Sequence, residues 1–283
     1  MKDIQKRYEG FLQTNSLWKK NAIYELNQFE IEARSRKIDI EINEKLRLGK
    51  YVERLVSYQL DQEESTSIIC ENVQIQKEKI TLGELDCIIK KENKTIHLEI
   101  IYKFYLYDAS CGKTEIDHFI GPNRKDSLVE KLVKLKEKQL PLLYSNECSE
   151  YLKSINLKAS EIEQNIYFKA QLFVPFSNRN IELSFLNQDC ISGFYIPQKE
   201  VHLFKDCKFY IPFKKDWIVI PHKNVNWLKF EEFNSITKNY FQKKTSPLCW
   251  VKQKNGESIS YDLHWSLHSV KDKNEVNTLL QRF

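Results

Sequence analysis

The sequence predicts an α/β core, and three observations carry that expectation. Residues 44–61 place apolar side chains at helical spacing. Residues 84–90 and 96–107 read as paired strands around a short polar turn. A second helix–strand unit follows over residues 127–139 and 166–176. Strands interleaved with helices of this length are the pattern of a sheet covered by helices.

Residues 3–31 carry Tyr8, Phe11, Leu12, Leu17, Trp18, Ile23, Tyr24, Leu26 and Phe29 at near-helical spacing. They predict two helical pieces broken near residues 14–16, and residues 1–43 are therefore assigned to an N-terminal helical layer. In residues 44–61, Leu48, Val52, Leu55, Val56 and Leu60 form one stripe at a period of 3.6. Glu53 lies about 100° from Val52, at the border of that stripe, where it can point along the core surface.

A strand is expected at 68–76, then the pair 84–90 and 96–107, separated by the polar KKENK turn. In the last of these, Ile96, Leu98, Ile100, Tyr102, Phe104 and Leu106 share one face. His97, Glu99, Ile101, Lys103, Tyr105 and Tyr107 share the other. A loop spans 108–126. Ser127 and Glu130 have capping-box spacing and start a helix whose apolar face is Leu128, Val129, Leu132 and Val133. Its Lys131, Lys134 and Lys138 fall on another flank. These lysines are candidate phosphate contacts, or an ordinary solvated face.

Beyond the strand at 166–176, the chain reads as short strands (193–197, 208–212, 217–221, 248–253) and helices near 230–242 and 273–282. The organisation expected is an N-terminal layer over 1–43, a core over 44–176, and an α+β extension packed on it over 177–283.

Composition narrows the class. Hydrophobic residues make up 41% and charged residues 29%, a globular balance, and 7 Gly with 7 Pro exclude long flexible linkers. A net charge of +5 permits a polyanionic partner without requiring one. The 7 cysteines are odd in number and never spaced C-x-x-C, which argues against a zinc knuckle or a disulfide framework. No apolar leader or membrane-length apolar run is visible, so a cytoplasmic protein is expected. No P-loop and no G-x-S-x-G element occurs.

The chemistry concentrates on the central hairpin. Glu84 and Asp86 share a face of one strand; Glu99 and Lys103 share a face of the next. This face is either an exposed surface laced with ion pairs or a lined cleft. As a cleft it suits a hard divalent cation, which takes carboxylate oxygens and keeps several waters. Asp86 and Glu99 then hold metal, Glu53 completes the set from the helix, and Lys103 serves the nucleophile.

The order helix Glu53, strand Asp86 within GELD, then Glu99 and Lys103 on the following strand resembles the PD-(D/E)XK nuclease superfamily. More narrowly, LGKYVERLVSYQL, GELDCII…IHLEIIYKFYL and FIGPNRKDSLVEKLVKLKEKQL resemble a bacterial family known as domain-of-unknown-function family 1853. The resemblance implies a restriction-endonuclease-like core, with a central mixed four-stranded sheet flanked by helices. It also implies Mg²⁺ or Mn²⁺ as cofactor and DNA or RNA as partner. Asp86, Glu99 and Lys103 match its acidic pair and lysine, and Glu53 its helix-borne acid. Lys169 and Gln171 are candidates for the site periphery. One departure stands out: the pattern's lysine position holds Ile101, and Lys103 lies two residues further on. The function expected is a metal-dependent phosphodiesterase acting on nucleic acid. The alternative is an inactive binding or protein-interaction module on the same fold.

Overall fold

The computed structural model describes residues 3–19 and 22–253, and the backbone of 264–268. The helices are α1 (Ile4–Gln13), α2 (Leu48–Asp61), α3 (Leu128–Lys134), α4 (Asn146–Ser154) and α5 (Phe230–Gln242). The strands are β1 (Thr66–Lys77), β2 (Ile80–Lys91), β3 (Lys94–Tyr107), β4 (Phe119–Ile120), β5 (Ile162–Pro175), β6 (Ile191–Pro197), β7 (Lys208–Tyr210), β8 (Leu248–Lys252) and β9 (His264–His268). The helix expected at 273–282 lies outside the described residues.

The four strands expected, β1-β2-β3-β5, are neighbours in the sheet, antiparallel across the first two pairings and parallel at β3–β5. The sheet does not stop there. It continues as β6-β9-β8-β7, with β4 paired to the end of β3. The C-terminal strands therefore extend the same sheet. The parallel β3–β5 step needs a crossover, and residues 121–161 supply it with α3 and α4.

Both faces of β3 are covered, as its central position demands. Leu98, Tyr102 and Phe104 pack with Tyr51, Val52, Leu55 and Val56 of α2 on one side. Ile101 and Tyr105 pack with Leu128, Leu132 and Leu135 on the other. The alternation expected in 96–107 is thus the division between two cores.

The N-terminal helical layer is only half present. α1 forms, capped by Asp3 accepting from Lys6 N–H, but the described residues of 14–43 are not helical. Tyr24 and Glu25 have positive φ (53° and 65°), which no helix accommodates. The segment runs along the part of β5 that β6 does not reach. Leu17 N–H donates to Phe168 O and Phe29 N–H to Ile166 O, both at 2.8 Å. An open strand edge is a liability, and covering it outweighs local helical patterning. Gly10 faces this assembly so closely that a Cβ would lie 1.8 Å from Ile218 O.

Two further local differences stand out. Residues 217–221 are not a strand, because Lys214–Ile218 form a 3₁₀ turn. Helix α4, capped by Ser145 accepting from Cys148 N–H, adds a helix that the apolar spacing does not announce. Among the described residues no helix is long and apolar enough to cross a membrane.

Candidate functional site: a carboxylate cluster where two strands part

The ladder between β2 and β3 runs from Lys91–Lys94 to Cys87–Leu98 and ends. Upstream, β2 pairs only with β1, through Leu85–Val73 and Glu84–Gln74. Asp86 sits where the strands part, and its Oδ2 accepts from Ile100 N–H of β3 at 3.0 Å.

Side chains from both covering layers converge on this fork. From α2 comes Glu53, buried at 7% exposure. It is placed at the helix border, as its angular position foretells. Single carboxylate oxygens of Glu53, Glu84 and Asp86 all lie within 4.8 Å of one another. Lys50, one turn before Glu53, donates to Glu53 Oε2 (2.8 Å), to Asn72 Oδ1 (3.0 Å) and to Glu84 Oε1.

On the opposite face stands Glu99, fully buried. Its Oε2 accepts from Gln139 Nε2 at 2.5 Å, and Gln139 Oε1 accepts from Lys131 Nζ at 2.8 Å. Glu99 Oε1 lies 3.2 Å from His97 Nε2, yet without hydrogen-bond alignment, so both buried atoms are left without a partner among the described residues. The His97 Nδ1 atom lies 3.0 Å from Gln164 Nε2. Gln139 reaches this position because α3 continues into a π segment, Leu135–Gln139. The wider turn of such a segment re-aims the side chains that follow it, and such bulges recur at functional sites.

The electrostatics follow from burial. Burial, then Glu99 and Glu53, push the Asp86 carboxyl up to about 7, against the opposing Ile100 N–H bond and Lys50. Burial also raises Glu53, with Lys50 opposing. Lys131 is pulled down to about 8 by desolvation, while the charges of Glu99 and Asp86 hold it up. A buried acid above its ordinary range beside an ammonium below its own is the pattern expected where proton and charge transfer are organised.

Some residues proposed from sequence stand elsewhere. Lys103 is turned away to Asp126, 2.6 Å from Oδ2. Lys169 and Gln171 lie on the opposite face of β5 from Ile166, which pairs with Glu99. Lys169 Nζ donates to Phe11 O, Leu12 O and Thr14 O, so it caps the C-terminus of α1. Gln171 donates to Tyr102 Oη and Trp217 O. Both are buried and stand away from the fork: the Lys169 ammonium is spent on three backbone carbonyls, whereas Gln171 ties β5 to Tyr102 and Trp217 through its amide nitrogen and keeps an Oε1 with no hydrogen-bond partner among the described residues. Of the three helix lysines, Lys131 points into the fork, while Lys134 and Lys138 are exposed.

Sequence reasoning missed three contributors. Glu84 shares the Asp86 face by alternation, yet the motif that marks Asp86 gives it no role. Lys50, one turn before Glu53, carries no spacing signal that singles it out. Gln139 depends on a π segment that the apolar spacing does not announce.

A family model described as Domain of unknown function (DUF1853) matches residues 6–265. The chain belongs to that family. The match takes in every residue of the fork, from Lys50 to Gln164. No curated protein and no solved structure matches this DUF1853 chain.

Proposed function

We propose that this DUF1853 chain is a metal-dependent phosphodiesterase of PD-(D/E)XK type that acts on nucleic acid. The observation that carries the reading is the meeting of Glu53, Glu84 and Asp86 at the β2–β3 fork, with Glu99 and Lys131 behind them. The donor set is entirely oxygen, which suits Mg²⁺ or Mn²⁺. Glu99 Oε1, buried on the opposite face and 3.2 Å from His97 Nε2 without hydrogen-bond alignment, is a further oxygen with no hydrogen-bond partner among the described residues. Glu53, Glu84 and Asp86 would hold the ion, with Glu99 next to Asp86. A bound divalent cation supplies Lewis acidity toward a phosphoryl oxygen and lowers the pKa of water.

The chain's own residues supply the rest. The lysine role moves from Lys103 to Lys131. Its ammonium is half-buried, oriented by Gln139 and drawn toward Glu99 and Asp86. At neutral pH a group near 8 is mostly charged, so it can orient an attacking water and stabilise charge on the phosphorane. The Ile101 side chain at the usual lysine position is buried, and an amine from the facing helix removes the need for one there. The exposed Lys134 and Lys138 extend the positive face along the same helix and are candidates for phosphate contact.

The test is Mn²⁺-stimulated cleavage of fluorescent single- and double-stranded oligonucleotides. Glu53→Gln and Asp86→Asn each abolish cleavage, Lys131→Met lowers it by on the order of 100-fold, and Lys103→Met stays within a few fold of wild type. Undiminished activity in both carboxylate variants rejects the site. A second reading, a non-catalytic nucleic-acid binder, is favoured by the ion pair that ties Lys103 to Asp126. It predicts binding that weakens steeply between about 50 and 200 mM salt, with no turnover.

A further inference from the structure

We infer that Lys50 is a resident counter-ion that occupies the cation position of this site, and that it makes the site selective for divalent over monovalent cations. The inference rests on the metal-site reading above. Lys50 belongs to the first turn of α2, and its ammonium has three N–H groups. All three are used: on Glu53 of α2, on Asn72 of β1 and on Glu84 of β2. Three elements therefore supply one oxygen each to a single positive charge. Asn72 is in the left-handed region (φ 52°) within β1, a conformation Asn adopts more readily than most residues. That conformation accompanies its side chain's contact with the ammonium.

Two of these three oxygens belong to Glu53 and Glu84, residues of the carboxylate cluster. An ammonium on these carboxylates and a metal ion drawn to the same two groups repel one another and compete for their lone pairs. A monovalent ion that displaces Lys50 replaces one unit of positive charge with another and gives up a tethered, triply bonded partner. A divalent ion adds a unit of positive charge among three acidic groups, and only that surplus offsets the loss. The Lys50 side chain is 41% exposed, so it has solvent to move into once displaced.

The experiment is calorimetric titration of Mn²⁺ into the full chain at pH 8, for wild type, Lys50→Met and Lys50→Gln. Titrations are made in KCl and in tetramethylammonium chloride of equal ionic strength, and circular dichroism checks the fold. The glutamine variant keeps hydrogen bonding without charge, should the methionine variant fold poorly. Removal of the charge tightens Mn²⁺ binding by on the order of tenfold or more. In the variants, KCl weakens Mn²⁺ binding relative to tetramethylammonium, whereas wild type is indifferent to the choice. Equal or weaker Mn²⁺ affinity in both variants, with wild type binding normally, overturns the role of Lys50 alone. No Mn²⁺ binding by any of the three proteins overturns the metal site and the role together.

Discussion

Asp86→Asn separates stability from function at this site. Asn keeps an acceptor for the Ile100 N–H bond (3.0 Å in wild type) and removes the charge that faces Glu99 and Glu53. The sign follows from proton binding. The folded chain holds the Asp86 proton up to about 7, whereas the ordinary value is 3.8. Between these values the folded state binds a proton that the unfolded state has released, so stability falls as pH rises. The stretch from pH 5 to pH 7 is worth at most about 2.7 kcal/mol at 1.36 kcal/mol per unit. Asp86→Asn does not titrate and escapes this loss. Urea unfolding of both proteins between pH 5 and pH 8 is the assay. The variant's advantage grows by about 1–3 kcal/mol over that range and levels off above pH 7, while its cleavage activity is lost. A stability difference that does not change with pH, or a variant that becomes relatively less stable as pH rises, refutes the electrostatic reasoning.

Two other perturbations test the assignments around the site. Lys169→Met leaves the carbonyls of Phe11, Leu12 and Thr14 without their ammonium donor. It lowers unfolding stability by about 1–3 kcal/mol and does not change oligonucleotide affinity. A loss of affinity at unchanged stability would restore Lys169 to the nucleic-acid surface. Gly10→Ala drives a Cβ against Ile218 O, a backbone atom with little room to yield, and costs at least about 2 kcal/mol by thermal or urea unfolding. A neutral Gly10→Ala would show that α1 and the Lys214–Ile218 turn are not in close contact.

The central hairpin was legible because one periodicity carried two messages. Alternation in 96–107 separated the two faces of the strand and, with them, the side that bears Glu99. The α2 stripe placed Glu53 at its border for the same reason. Ser127 and Glu130 announced α3 by capping chemistry that is purely local, and both capping bonds form. What stayed hidden depended on contacts distant in sequence. Leu17, Trp18 and Phe29 look helical by spacing but are buried in non-helical backbone, with Leu17 and Phe29 hydrogen-bonded to β5, because an open sheet edge needed cover. The parting of β2 from β3, the π segment that turns Gln139 toward Glu99, and the choice of Lys131 over Lys103 are all set by packing between elements. No spacing within one element reports them. The extension of the sheet beyond β5 was hidden for a related reason. Short strands punctuated by proline read as edges, and only the assembled sheet joins them to the core.

The proposed activity depends most on a shared cation at Glu53, Glu84 and Asp86. Electron paramagnetic resonance of Mn²⁺ counts bound ions directly, with no substrate required. One tightly held Mn²⁺ per chain is expected in wild type at pH 8, and its loss in Glu53→Ala, Glu84→Ala and Asp86→Ala alike. Mn²⁺ retained at full stoichiometry and affinity in all three folded variants would contradict it.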